Sequence, residues 1–181
     1  MTPDIAILMA RYNRWMNERV YDAAATLDAE TLAADKGAFF GSLLATLNHI
    51  AVADLVWLNR FAQYEGGFRN LQALESLPTP RALDQPLAPD LAGLRRLRTQ
   101  LDALIESWVG ELTPGHMAGE LAYGNMAGKP QRRSFGALLQ HFFNHQTHHR
   151  GQASTLLHQS GVDIGVTDLL ALIPQGWETS R

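Results

Sequence analysis

Four of the chain's seven histidines fall within one short stretch, HFFNHQTHHRGQ at 141–152. These are His141, His145, His148 and His149, set among apolar residues with no acidic neighbour. Such a cluster is a metal site, a proton relay or a polar patch on a helix. At about 100° per residue, Phe135, Leu138, Phe142, Ala153 and Leu156 define one apolar arc. His145 and His149 fall inside that arc, about 40° apart, while His141 and His148 lie off its edge. An i, i+4 pair brings two imidazoles to adjacent turns, close enough for both to reach one ion at about 2.0–2.1 Å. The pair alone leaves two readings open, a metal site or two hydrogen-bonded core histidines.

A third histidine favours the metal. His49, in LLATLNHIAVAD, lies about 130° from the Leu43/Leu47/Ile50/Phe61 face of its own helical pattern. It shares a second flank with Ala45, Val52, Ala53 and Val56, whose small side chains allow another helix to come close. The candidate metal ligands are therefore His49, His145 and His149. Asp54 falls on the main apolar face of the same segment, where a carboxylate must be paired or hydrogen-bonded. Pairing with a core polar group such as the Tyr12 hydroxyl is the plainer expectation. A role in orienting a ligand or handling protons makes Asp54 the candidate catalytic residue. The two side chains point about 140° apart, so no direct bond between Asp54 and His49 is expected.

Three neutral imidazoles leave a divalent ion with open positions, a catalytic arrangement more than a structural one. Zinc or nickel is expected first, with iron and copper also compatible with imidazole ligands. The hydrolytic motif H-E-x-x-H is not met: Gln146 follows His145, and residues 134–159 contain no Asp or Glu. Capture of His141 or His148 as a fourth ligand would instead close the site into a structural or storage centre.

The elements that hold these residues are legible as helices. Thr2-Pro3-Asp4 reads as a helix start, followed by apolar residues at threes and fours to about Leu27. Gly41-Ser42 opens a second helix, which ends by Gly66-Gly67. Residues 66–89 carry four prolines and read as a long irregular crossing. Asp90 caps a third helix with Gly110 past its end, and a fourth runs from near Ser134 to about Gln159. Residues 119–133 break the helical rhythm as a short hairpin or ordered loop; Tyr123 and Met126 there are candidates for a pocket rim, although an ordinary connection is the simpler reading. A short helical turn is expected over Asp168–Ile173. Four apolar stripes must bury one another, so the fold class is all-α, a four-helix bundle, as a single domain over 1–181.

Composition narrows the function classes. A net charge of −3 with no dense basic stripe argues against nucleic acid as a partner. With no cysteine, the fold has neither disulfides nor thiolate ligands, which suits a cytoplasmic protein. The first fifteen residues lack the order of a signal peptide, and no apolar run approaches the roughly 18 residues of a spanning helix, so no membrane partner is expected.

The segments YNRW at 12–15, GAFFGSLLATLNHIAVADLVWLNRF at 37–61 and HFFNHQTHHRGQ at 141–152 together resemble the DinB (DinB/YfiT-like) family of metal-dependent bundle proteins. The resemblance implies up-down-down-up topology, a homodimer, and one divalent metal on His49, His145 and His149. It also implies, from relatives that use a low-molecular-weight thiol, a metal-dependent thiol transferase acting on a small-molecule electrophile. Two alternatives stand beside it, a metal-hydroxide hydrolase and a non-catalytic, stress-associated metal-binding dimer. Gly151 costs about 1 kcal/mol relative to alanine in a helix interior, and close approach of another helix, within the chain or across a dimer, would offset that.

Overall fold

The computed structural model describes residues 1–175. Helix α1 (Pro3–Ala24) begins as its sequence directs, with the Thr2 hydroxyl accepting from the Ile5 amide at 3.3 Å. It stops three residues before Leu27 because Asp28 starts a new short helix, α2 (Ala29–Ala33), by accepting from the Thr31 amide at 2.7 Å. Helix α3 (Leu43–Phe61) is capped by Ser42. Just before it, Gly41 adopts φ +76°, the left-handed turn that folds Phe40 back toward α3.

The proline-rich crossing is irregular as expected, apart from a 3-10 segment at Asn70–Ser76. The Glu111 carboxylate fastens it by accepting from the Arg69 and Asn70 amides at 2.8 and 2.7 Å. Helix α4 (Leu91–Val109) follows the Asp90 cap. A short α5 (Pro114–Ala118) was not anticipated; its capping box pairs Thr113 with His116, a residue type outside the usual Glu or Gln signal. The 119–133 segment resolves as a hairpin, β1 (Glu120–Gly124) antiparallel to β2 (Pro130–Ser134). Helix α6 (Phe135–Gln159) carries the histidine stretch. A 3-10 turn at Leu169–Leu172 fulfils the expectation for the tail.

The fold is all-α with this one small sheet. Among the long helices, α1 packs on α4 and α6, and α3 packs on the same two. The core is aromatic: Trp108, Phe61, Phe135, Phe142 and Phe143 are each 0–1% exposed. Burying one such side chain contributes about 1.5–3 kcal/mol. Where the four helices meet, however, the interior is polar. Asp54 of α3, Arg98 and Asp102 of α4, Asn13 and Asn17 of α1, and Gln146 and Arg150 of α6 are all buried. They engage one another, although Arg98 Nε and Gln146 Oε1 are left without a hydrogen-bond partner among the described residues. Arg98 ion-pairs with Asp54 and, at 2.9 Å, with Asp102, while Asn17 donates to Asp102 at 2.9 Å and Arg150 to Asn13.

Candidate metal centre

Helices α3 and α6 meet in antiparallel register: His49 faces His145, Trp57 faces His141, and Phe61 faces Phe135. Small residues on the flank of α3 permit that approach, with Val52 and Ala53 buried at 0% and 5% exposure. The register gathers the three predicted ligands. One ring nitrogen from each of His49, His145 and His149 lies within 4.8 Å of the others. The Nε2 atoms of His49 and His145 are 3.3 Å apart. Two bonds of 2.0–2.1 Å at a tetrahedral angle separate their nitrogens by about 3.3–3.4 Å, so this pair already stands at ligating distance.

The outer nitrogens are held as ligation requires. His49 Nδ1 donates to the Leu83 carbonyl at 3.0 Å, and His149 Nδ1 donates to Gln152 Oε1 at 2.7 Å. Each bond fixes the proton on Nδ1 and leaves the Nε2 lone pair for an ion. The Leu83 carbonyl is itself positioned by Asn48, whose amide donates to Gln85 O and accepts from the Leu87 amide, both at 2.9 Å. Phe40 stacks on His49 with centroids 3.9 Å apart and meets His149 edge-on at 5.4 Å. The donor set therefore fits a divalent ion.

Electrostatics favour the neutral, ligating imidazole. Burial pushes the His145 pKa down to about 3, and the adjoining His149 and His49 add to the effect. Burial also lowers His49 and His149, against the opposing hydrogen bonds to Leu83 and Gln152. His141 and His148 are exposed and stay outside the trio. No fourth protein ligand joins it among the described residues. Beside the trio lies a cavity of about 520 Å³ lined by Phe39, Phe40, Ser42, Leu44 and Asn48, sharing Phe40 with the histidines.

Asp54 is paired with core polar groups, as the plainer expectation has it, but the Tyr12 hydroxyl is not among them. The Tyr12 hydroxyl donates to Thr167 O at 2.7 Å and leaves Asp54 alone. Asp54 instead binds Arg98 and accepts from Gln146 Nε2 at 2.7 Å. It makes no hydrogen bond to His49. Burial pushes its carboxyl up against the pull of Arg98. Gly151 is exposed, and a Cβ there would meet nothing within 4 Å, so no helix among the described residues approaches it within the chain. Sequence reasoning missed Phe40, Gln152 and the Leu83 carbonyl as supports. Only Gln152, three residues after His149, carried a readable signal.

The chain is similar to known proteins over nearly its whole length. Residues 1–179 match the DinB family. Protein DinB of Bacillus subtilis (strain 168) is 24% identical over 166 residues, covering 91% of each chain.

Proposed function

This chain belongs to the DinB family, and we propose that His49, His145 and His149 hold one divalent metal ion for transfer of a low-molecular-weight thiol to an electrophile. The observation that carries the reading is three neutral imidazoles converging within 4.8 Å with no fourth protein ligand among the described residues. Zinc and nickel are the leading ions. A bound ion would supply Lewis acidity that holds a sulfur donor as its thiolate near neutral pH. The chain's own residues orient and enclose. Leu83 O and Gln152 Oε1 aim the imidazoles, Phe40 shields them, and the neighbouring cavity receives the organic part of a small substrate.

Asp54 acts in this scheme as a positioning residue. It grips Gln146, the residue beside His145, and so fixes that turn of α6. Its engagement by Arg98 withholds Asp54 from service as a base, and the carboxylate on the cavity wall is that of Asp84. Thiol transfer, in which the ion itself holds the thiolate, asks less of such a base than hydrolysis does. The larger frame we propose is an up-down-down-up bundle, one domain, working as a cytoplasmic homodimer.

The test is elemental analysis of untagged protein never exposed to a nickel column, beside His49→Ala and His149→Ala. About one metal per chain in the parent, lost in both folded variants, is the expected result. Thiol consumption with a panel of small electrophiles then follows. A metal-free parent that cannot take up zinc or nickel overturns the reading.

A further inference from the structure

The antiparallel α3/α6 face continues past the histidines to a second polar group. Arg60 lies eleven residues after His49, which at 100° and 1.5 Å per residue places it about 20° around the helix and about 16 Å along it. The two residues share one face of α3. The Arg60 guanidinium carbon sits 4.5 Å from the Trp57 ring centroid and 5.1 Å from that of Tyr123. Tyr123 comes from the hairpin, whose Leu121, two residues earlier on the same face, is fully buried and anchors the strand. His141 closes the path back, 5.1 Å from Trp57 and 6.0 Å from His145, centroid to centroid.

These groups are spare. Among the described residues, neither the Arg60 guanidinium, the Tyr123 hydroxyl nor the His141 ring makes a hydrogen bond, and Arg60 has no carboxylate partner. Helix α6 contains no Asp or Glu, and the one acid of α3, Asp54, is committed to Arg98 in the core. A half-buried guanidinium backed by two rings, with its fork of donors free, is suited to a planar or tetrahedral oxyanion.

We propose that Arg60, backed by Trp57 and Tyr123 and flanked by His141, is an anion subsite. It receives the carboxylate, sulfonate or phosphate of an elongated small molecule whose reacting atom lies at the histidine group. The subsite stands on its own residues; the placing of the reacting atom rests on the proposed metal function. It selects anionic thiols or electrophiles over neutral ones of equal length.

The test uses the full chain freed of metal by chelation and inorganic phosphate as the probe, titrated at constant ionic strength. Arginine Nε–H and tryptophan indole signals are followed by NMR. The expected result is a saturable shift of the Arg60 and Trp57 signals, lost in Arg60→Gln and retained in His49→Ala. Arg60→Lys, which keeps charge but loses the fork, is expected to bind at least about tenfold more weakly. No saturation in the parent, or an unchanged midpoint in both Arg60 variants, overturns the proposal. A parent that binds phosphate through Arg60 but takes up no metal supports the subsite and sinks the metal reading alone.

Discussion

His49 and His145 face each other through their Nε2 atoms at 3.3 Å, although they lie 96 residues apart in the chain. Two imidazoles brought that close, nose to nose, repel when both carry a proton on Nε2, and their lone pairs crowd when neither does. The arrangement therefore suits a neutral pair, and an ion between them relieves the crowding of lone pairs that the fold enforces.

The first prediction concerns stability without metal. His145 has its folded pKa pushed down to about 3, and His49 and His149 are lowered as well. Unfolded, each titrates near 6.5. The unfolded chain thus binds more protons between those values, and stability is full above about pH 6.5 and lost as pH falls. Each such proton gives a slope of about 1.4 kcal/mol per pH unit. Urea midpoints of chelated protein from pH 8 to pH 4 are expected to fall, and to fall less steeply in His145→Gln. A pH-independent midpoint would contradict the depressed titrations.

Gln152→Leu tests the support of His149. It removes the acceptor that fixes the ligating tautomer, at 2.7 Å, while leaving all three ligands in place. Loss of such a partner typically weakens metal binding by 10–100-fold. Competition against a chelator of known affinity measures this directly, and unchanged affinity would make the bond incidental.

The histidine trio was readable in the sequence because helical geometry turns spacing into direction. His145 and His149 differ by one turn, and the small residues around His49 marked a flank that a neighbour would cover. The same rule placed Asp54 in the core but failed to name its partner. Arg98 and Asp102 sit on α4, and which helix faces which is decided by packing across the whole chain, beyond the reach of any one wheel. Leu83 was illegible for a similar reason: a backbone carbonyl in a proline-rich crossing has no residue-type signal. The hairpin announced itself through glycine and asparagine, whereas α5 did not, because His116 takes the place of an acid in its capping box.

Arg98→Met tests the buried polar seam. The substitution leaves the Asp54 and Asp102 carboxylates without their shared cation, and breaking a buried pair costs about 3–5 kcal/mol. Burial already raises both carboxyls. A folded pKa above the unfolded one means that the folded state holds the extra proton, so the variant regains stability relative to its parent as pH falls. Chemical denaturation of both proteins at pH 8 and pH 5 is expected to give the larger deficit at pH 8. An equal deficit would mean that these carboxylates do not titrate in that range.

Gly151→Ala addresses the face of α6 left open within the chain. An alanine Cβ meets nothing within 4 Å, and glycine in a helix interior costs roughly 0.5–1 kcal/mol relative to alanine. The variant is expected to gain about that much at micromolar concentration or below, read from its urea midpoint. If the proposed homodimer packs a second copy against this face, the added methyl falls between two helices, and the gain turns into a loss that grows with protein concentration. Sedimentation of parent and variant over a hundredfold range of concentration separates the cases. A dimer indifferent to the substitution would place its interface elsewhere and leave Gly151 an ordinary exposed helical glycine.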